Sequence, residues 1–325
     1  MWEQDLPRKT MAFKSGFVSI IGRPNAGKST LLNALVGEKI AIVSDKPQTT
    51  RTRIQGMVNV KARKGRPAGQ IVFIDTPGVH KADSKLNRKM MSEIYGALDS
   101  RDLVLLIVDA CEKPGHSDQQ VLDMIKKTGG PVFLLLNKID RLRKEALLPL
   151  IEAYSKLHQF QEIIPISAIK GEGLEVLLDK SIRALPEGPR YFPQDQLTDQ
   201  PERFLAAEIV REKVLLKTGK EVPYAIAVVV ERYEETDRLT RIAAVIFCER
   251  EGQKGILIGK GGVKLKEIGT AARHDLEQLL SKKIFLEIFV KVKPGWRESA
   301  AFVEDLDWRK QLEHLATGTK LPELP

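Results

Sequence analysis

The sequence predicts an α/β domain with a mostly parallel sheet and helices on both faces, followed by a smaller α+β domain. The chain has 325 residues, a length that favours two domains rather than one. From Phe17 to about Leu185, apolar runs alternate with amphipathic stretches, as in units of strand, helix and parallel strand. Segment 185–193, LPEGPRYFP, then interrupts this alternation with prolines and a glycine, which indicates a linker.

The individual elements follow from short apolar runs and from helical spacing. The first domain should contain strands at 17–21, 71–74, 103–108, 132–136 and 163–166. The second should contain a helix at 202–216, strands at 225–230 and 242–248, a helix at 263–280 and a strand at 284–292. The resulting boundaries are an N-terminal extension 1–14, a first domain 15–185, a linker 186–200, a second domain 201–297 and a C-terminal extension 298–325.

Bulk composition narrows the class of protein. The formal charge is +9 and the pI is near 9.3, which suggests a polyanionic partner, although solubility or contact with anionic lipid would equally explain it. There is no apolar run of membrane-spanning length and no signal-peptide core, so we expect an intracellular protein. Cys111 and Cys248 match no metal-ligand spacing and are interpreted as reduced thiols.

A phosphate-binding loop lies between the first predicted strand and a helix that starts near Leu31. Its glycines allow a tight curve that points backbone N–H groups at phosphate oxygens. Lys28 can neutralise terminal phosphates, and Ser29 offers a hydroxyl to Mg²⁺. The loop and the nucleotide-binding residues predicted from it are Gly22, Arg23, Pro24, Asn25, Ala26, Gly27, Lys28, Ser29 and Thr30.

A second motif, Asp75-Thr76-Pro77-Gly78, follows the strand at 71–74. The Asp75 carboxylate should lie near the metal at the carboxyl end of that strand, and the N–H of Gly78 can meet the γ-phosphate. The alternative for Asp75 is a helix cap or a turn residue.

A third motif, Asn137-Lys138-Ile139-Asp140, indicates which base is bound. Guanine presents two adjacent donors, N1–H and the N2 amine, and the carboxylate of Asp140 can accept both. Lys138 should lie along the base plane, and Asn137 should connect this loop to the phosphate loop. After the strand at 163–166, Ser167-Ala168 can supply a backbone N–H to guanine O6. The four motifs together predict GTP binding.

This pattern resembles the translation-factor-related GTPases, in which a threonine binds magnesium when GTP is present. Within Thr49-Thr50-Arg51 we expect Thr50 to be that ligand, and Lys28, Thr50, Asp75 and Gly78 to form the catalytic set. The alternative for the two threonines is a polar surface loop. Segments 38–53 and 77–89 should be mobile in the GDP form.

Two positions bear on the rate of hydrolysis. Val79 stands where many GTPases carry the glutamine that orients water, so intrinsic turnover should be slow. The adjacent His80 is a candidate base, and the alternative is a solvated loop histidine. Asn25 resembles the asparagine of GTPases that use K⁺ to balance phosphate charge, and the alternative is a hydrogen bond within the loop.

The second domain contains a glycine loop between two helical segments, the arrangement of a KH module of the second topological type. Such a loop lacks bulky side chains, so a nucleic-acid backbone can approach it, and Lys260 should meet phosphate. The alternative is a glycine turn beside a solvated charged face. The expected RNA-binding residues are Ile258, Gly259, Lys260, Gly261, Gly262, Lys264, Lys266, Arg273 and Lys293.

From about Met11 to Arg297 the chain resembles the Era family of bacterial GTPases. The resemblance rests on GRPNAGKS, QTTR, DTPG, NKID, SA, the linker block LPEGPRYFPQDQLTDQPERFLAAEIVREKVL, IGKGG and KVKPGWR. It implies GTP/GDP and Mg²⁺ as cofactors, slow hydrolysis, and a KH domain that binds the 3′ end of 16S rRNA in 30S ribosomal subunit assembly. It also implies a cytoplasmic monomer with a peripheral fraction at the inner membrane.

Two other functions remain open at this point. One is a nucleotide-gated RNA-binding scaffold in which turnover is incidental, and the other is a membrane-surface GTPase. The tail after Arg297 extends past the resemblance, and we expect it to form a helix that packs on the KH domain or folds back.

Overall fold

The computed structural model describes residues 12–79, 83–219 and 222–316, and within them the chain forms two sheets. The strands of the first domain are β1 Lys14–Ile21, β2 Ile54–Val60, β3 Gly69–Asp75, β4 Leu103–Asp109, β5 Val132–Asn137 and β6 Glu162–Pro165. Its helices are α1 Lys28–Val36, α2 Lys85–Asp99, α3 His116–Thr128, α4 Leu147–Ser155 and α5 Leu174–Ala184.

The first sheet has the order β2-β3-β1-β4-β5-β6, and its strands run parallel except for β2, which is antiparallel to β3. The predicted α/β class with a mostly parallel sheet is therefore confirmed. The sequence analysis missed β2 because polar residues such as Gln55 and Asn59 interrupt its apolar run. A strand at the sheet edge tolerates them, since it is less enclosed than a central strand.

Helices cover both faces of this sheet, as alternate residues of β4 illustrate. Leu103, Leu105 and Ile107 belong to a buried cluster that includes α1 and α5. Val104, Leu106 and Val108 belong to a second cluster, packed against α2, α3 and α4. Successive strand residues face opposite sides, so a central strand covered on both sides must be apolar throughout. This explains the continuous apolar runs in the sequence.

The predicted linker contains neither helix nor strand between Leu185 and Pro201, and it is fastened along the first domain. The buried side chain of Gln70 accepts hydrogen bonds from the backbone N–H groups of Tyr191 and Phe192, each at 2.9 Å. The N–H of Met57 donates to the carbonyl of Leu197 at 2.9 Å. The linker therefore runs along the β2 side of the sheet and is held there by hydrogen bonds.

The second domain contains α6 Glu202–Lys217, β7 Ala227–Glu235, β8 Leu239–Cys248, α7 Glu251–Ile258, α8 Val263–Leu280 and β9 Lys283–Val292. Its sheet has the order β7-β8-β9, with β7 antiparallel and β9 parallel to β8. One face of the sheet packs on α6 and α8 through a buried cluster that includes Val210, Ile246 and Ile268. The predicted order of helices and strands is confirmed.

The other face of this sheet meets the first domain and the C-terminal tail. Two helices, α9 Ala300–Asp305 and α10 Trp308–Ala316, follow the last strand. Phe247, Trp296 and Phe302 form a buried cluster with Leu86 and Met90 of α2. The described part of the tail therefore packs on the second domain, as one of our two expectations had it, and also contacts the first domain; it forms two helices where we expected one. Segments 1–11 and 317–325 of the predicted extensions lie outside the described residues.

Candidate nucleotide site and nucleic-acid loop

The phosphate loop joins β1 to α1 and is closed by Lys28. The Lys28 ammonium donates to the carbonyl oxygens of Gly22 at 3.1 Å and Arg23 at 2.8 Å. Burial lowers the pKa of Lys28 to about 8, and the nearby Asp75 carboxylate opposes that shift. The ammonium is thus still charged at neutral pH and surrounded by the loop, where it could neutralise a bound phosphate.

Gly27 and Gly78 lie where neighbouring atoms leave no room for a side chain. Gly27 has φ +102°, and a Cβ placed on it would lie 2.2 Å from Nδ2 of Asn137. A Cβ on Gly78 would lie within 3.0 Å of three atoms of Pro24. The Asp75–Gly78 motif therefore touches the phosphate loop, and Gly78 lines the same cleft as that loop.

Ser29, Thr50 and Asp75 converge from α1, the loop before β2, and the end of β3. The Ser29 hydroxyl donates to Oδ2 of Asp75 at 2.6 Å and lies 2.8 Å from the Thr50 hydroxyl. Oδ1 of Asp75 is buried and has no hydrogen-bond partner among the described residues. A set of oxygen donors with one unpartnered carboxylate oxygen fits Mg²⁺, which prefers one or two carboxylates and hydroxyl or phosphate oxygens.

The protonation of Asp75 depends strongly on its surroundings. Burial raises the pKa of Asp75 to about 6, while the Lys28 ammonium and the hydroxyls of Ser29 and Thr50 hold it lower than burial alone would. A buried carboxylate with this balance is stabilised by further positive charge.

The base-recognition motif is held against the phosphate loop by Asn137. Its Nδ2 donates to the carbonyl of Ala26 at 2.8 Å, so Asn137 connects the two loops. The Lys138 ammonium lies 2.6 Å from the Asp109 carboxylate at the end of β4, a partner that the sequence analysis missed. Asp140 is exposed and accepts a hydrogen bond from the Ser167 hydroxyl at 2.6 Å.

The expected N–H donor for guanine O6 is engaged within the protein. The Ala168 N–H donates to Oδ1 of Asn137 at 3.0 Å, and the Ser167 N–H donates to the carbonyl of Glu172 at 3.1 Å. A guanine O6 could receive the Ala168 amide only in exchange for its bond to Asn137.

These groups line one cleft of about 320 Å³, a size suited to a small ligand. The predicted residues on its wall are Pro24, Asn25, Gly27, Lys28, Ser29, Thr30, Thr50, Gly78, Asn137, Lys138, Asp140 and Ala168. Arg23 is not among the lining residues, and its side chain pairs with Glu112 and, at 3.1 Å, with Asp118. The side chain of Val79 packs on the apolar cluster beneath α2 and α3, and His80 lies outside the described residues.

Asn25 connects the phosphate loop to the loop that carries Thr50. Its side-chain amide donates to the carbonyl of Asp45 at 2.8 Å. This bond reaches a neighbouring loop, so it is not the hydrogen bond within the phosphate loop that we considered as the alternative to K⁺ binding.

The glycine loop of the second domain forms a single tight turn between α7 and α8. Gly259, Gly261 and Gly262 all have positive φ, and Lys260 is exposed at the tip. Ile258 precedes the turn, and Lys264 and Lys266 follow it on the first turns of α8; Lys264 pairs with Glu267 at 2.9 Å.

Two predicted RNA contacts are placed farther away. Arg273 is exposed about two turns further along α8. The Lys293 ammonium lies 5.0 Å from the ring centre of Phe302, which belongs to the cluster on the opposite face of the sheet. The structure therefore does not bring Lys293 to the glycine loop.

The structure also identifies charged residues to which the sequence analysis assigned no role. Arg51, Arg211 and Glu212 are buried where the two domains meet. The available signal was the run Arg211-Glu212-Lys213, which is flanked on both sides by apolar residues of α6, since charged residues are rarely buried without partners. No helix in the described ranges has the length and apolar character needed to cross a membrane.

Comparison with family models identifies the two units separately. Residues 17–138 match the model described as 50S ribosome-binding GTPase, and residues 221–297 match the KH domain model. The first match covers the phosphate loop and the base-recognition motif as far as Lys138, and the second covers the glycine loop.

Comparison with whole proteins covers both units at once. The chain is 53% identical over 298 residues to GTPase Era of Geobacter metallireducens, covering 91% of this chain and 98% of that protein. It is 48% identical to GTPase Era of Staphylococcus haemolyticus, over 91% of this chain and 97% of that protein.

Solved structures agree with this assignment. A variant of Aquifex aeolicus Era bound to GDP·AlF₄⁻ matches at 41% identity and a TM-score of 0.85, covering 90% of this chain and 98% of that one. Era in complex with MgGDPNP and nucleotides 1506–1542 of 16S ribosomal RNA matches at 41% identity and a TM-score of 0.86, with the same coverage. With its GTPase and KH domains in this order and these matches along nearly its whole length, the chain belongs to the Era family of GTPases.

Proposed function

We propose that this GTPase uses its nucleotide state to control binding of the 3′ end of small-subunit 16S rRNA during 30S ribosomal subunit assembly. The observation that carries the proposal is that the loop bearing Thr50 lines the nucleotide cleft and also contacts the KH domain. The related Era crystallised with MgGDPNP and nucleotides 1506–1542 of 16S rRNA supports the choice of RNA.

In this proposal each part of the cleft has a separate task. Lys28 and the Gly78 N–H stabilise charge on the terminal phosphate, and Ser29, Thr50 and Asp75 hold Mg²⁺, which supplies further positive charge there. Support comes from the convergence of the three oxygen donors and the unpartnered Oδ1 of Asp75. The attacking water is oriented by backbone groups, by the Thr50 loop or by the ribosomal partner, because Val79 has no polar side chain.

The base end of the cleft selects guanine through Asp140, whose carboxylate accepts from N1–H and N2. Asn137 holds this loop on the phosphate loop, and Lys138 lies along the base plane. Ser167 supports Asp140 through its 2.6 Å hydrogen bond. Ala168 supplies its N–H to O6 after exchanging its bond with Asn137.

RNA backbone approaches the turn Gly259–Gly262, with phosphate contacts from Lys260, Lys264 and Lys266. Ile258 lines the adjoining groove and Arg273 extends the basic surface along α8. In this proposal Lys293 contacts RNA after its ammonium has moved away from the Phe302 ring.

The proposed domain limits are those predicted from the sequence: a first domain 15–185, a linker 186–200 and a second domain 201–297.

The proposal extends to a cytoplasmic monomer with a weak peripheral association with the inner membrane. The formal charge of +9 suits both RNA and an anionic lipid surface. The second candidate function is an RNA-binding scaffold with incidental turnover. It is favoured by one observation, the packing of Val79 into the apolar cluster instead of the cleft.

Single-turnover GTP hydrolysis separates these two functions. If the 30S subunit triggers hydrolysis, the protein should hydrolyse GTP on the order of tenfold faster with immature 30S subunits. This factor corresponds to an activation barrier lower by about 1.4 kcal/mol. Rates should be measured with 30S subunits, with 50S subunits as the control, and without ribosomal particles. Equal rates in all three samples would favour the scaffold.

Asp140→Asn should weaken GTP binding about 10- to 100-fold, because hydrogen bonds to a charged group contribute about 1.5–3 kcal/mol. The variant should prefer xanthosine triphosphate, since xanthine has an acceptor where guanine has its amine. Calorimetric titration with both nucleotides measures the change. Asp123→Asn, on the exposed face of α3, is the control. Unaltered GTP affinity in the Asp140 variant contradicts the assignment of the base site.

Gly261→Asp should weaken RNA binding about tenfold or more, because like charges brought together cost free energy. Gly65→Asp is a matched control, because both glycines have positive φ and no atom within 4 Å of an added Cβ, yet Gly65 lies in the first domain. Fluorescence anisotropy with an oligoribonucleotide of the 16S 3′ end gives both affinities. If the two variants bind RNA equally well, the groove is placed wrongly.

Replacing Na⁺ by K⁺ should accelerate turnover if Asn25 helps hold a monovalent cation beside the phosphates. Steady-state hydrolysis is compared at equal ionic strength in the two salts, for the parent protein and for Asn25→Ala. The acceleration should be present in the parent and absent in the variant. A parent protein indifferent to the cation shows that Asn25 serves only to bind the Asp45 carbonyl.

A further inference from the structure

Three consecutive residues, Thr49, Thr50 and Arg51, are shared between the two domains. The Thr50 hydroxyl points to Ser29 in the nucleotide cleft. The Arg51 side chain enters the second domain, where its Nη1 donates to the carbonyl of Ile226 at 2.7 Å. The guanidinium centre lies 5.6 Å from the ring centre of Trp296, within the range of a cation–π contact.

Trp296 provides a rigid surface for this contact. Its side chain is fully buried, and its Nε1 donates to the carbonyl of Ala225 at 2.9 Å, next to the carbonyl that Arg51 binds. Trp296 follows β9 by four residues, so it belongs to the same domain as the glycine loop. The seat of Arg51, meaning the Ile226 carbonyl and the Trp296 ring that it contacts, thus belongs to the RNA-binding domain.

A second contact from the same domain holds the backbone before Thr50. Arg211 of α6 donates its Nη2 to the carbonyl of Thr49. Its Nε is fixed by a 2.7 Å hydrogen bond to Glu208, one turn earlier on the helix. Thr50 is therefore flanked on both sides by groups that the RNA-binding domain holds.

The start of the same loop is held by the neighbouring residue of α6. Glu212 accepts a hydrogen bond from the Val43 N–H at 2.9 Å and pairs with the Lys39 ammonium at 2.6 Å. Lys39 also pairs with Asp275 at 2.9 Å, and Asp275 lies on α8, the helix that begins at the glycine loop. The loop is therefore connected to the element that carries the proposed RNA contacts.

Burial of the Arg51 guanidinium in this seat costs free energy, because the cation is removed from water. The Arg51 side chain is buried, and its Nε and Nη2 have no hydrogen-bond partner among the described residues. Burial, followed by repulsion from Arg211, lowers the pKa of Arg51 to about 9. A buried charge with incomplete hydrogen bonding contributes little net stability.

We propose that Arg51 is a positioning residue that couples the nucleotide cleft to the RNA-binding domain by occupying the Trp296–Ile226 seat when Thr50 is in the cleft. This inference rests on the proposed function. Consecutive Cα atoms are about 3.8 Å apart, so a loop that withdraws the Thr50 Cα by more than about twice that distance also withdraws Arg51. Coupling of this kind is reciprocal: RNA that favours the seated arrangement also favours Thr50 in the cleft.

The test measures the affinity of a 16S 3′-end oligoribonucleotide with Mg·GDP and with Mg·GppNHp. In the parent protein the two Kd values should differ by about fivefold or more, the lower end of usual coupling factors. In Arg51→Met their ratio should fall to within about twofold of 1, while the affinity for each nucleotide without RNA stays near that of the parent.

Arg66→Met is the matched control. Arg66 is also a buried arginine whose Nε has no hydrogen-bond partner among the described residues, but its Nη1 pairs with Glu175 at 2.7 Å within the first domain. This variant should keep the parent ratio. A parent ratio of 1 overturns the proposed function together with this inference. A parent ratio that survives in Arg51→Met overturns the inference alone.

A second measurement covers the case in which Arg51→Met does not fold. Trp2→Phe combined with Trp308→Phe leaves Trp296 as the sole tryptophan, since the chain has three. A cation over an indole ring alters its emission, so exchanging Mg·GDP for Mg·GppNHp should shift Trp296 fluorescence. Identical spectra in the two nucleotide states show that the seat does not respond to the cleft and overturn the inference.

Discussion

The arrangement of this molecule depends on one loop, residues 39–53, that belongs to the nucleotide cleft and to the KH domain at once. Thr50 lies 2.8 Å from Ser29 in the cleft, and its neighbours are held by Arg211, Ile226 and Trp296. A loop with partners in two domains cannot change on one side without changing on the other. This is the physical basis on which a nucleotide could alter RNA binding.

The chemistry of the domain contact suits reversible association. Much of it consists of ion pairs and hydrogen bonds, including Lys39 with Glu212 and Asp275, and Lys89 with Asp307 at 3.0 Å. An apolar cluster around Trp296, to which α9 contributes Phe302 and Val303, also lies between the domains. Partly exposed ion pairs contribute little net stability, whereas a wholly apolar interface would favour permanent association.

Much of the nucleotide site could be predicted because its residues are sequential and follow buried strands. The apolar runs that form a covered parallel sheet predict where each strand ends, and polar residues directly after such ends must meet at one edge. The predictions for Arg23, Ala168 and Lys293 were less complete. Their side-chain or amide partners, Asp118, Asn137 and Phe302, come from other segments that no local pattern reveals.

The sequence by itself determined the fold class of both domains and the candidate positions that meet phosphate, metal, guanine and RNA backbone, because periodicity and short motifs are local properties. Only the tertiary structure decided that the Arg51 side chain lies on Trp296 of the second domain and not in the cleft, and that the tail packs between the domains. The physical reason is that burial of a charge depends on partners from distant parts of the chain, as with Arg51 and Trp296. Those partners are brought together by packing alone.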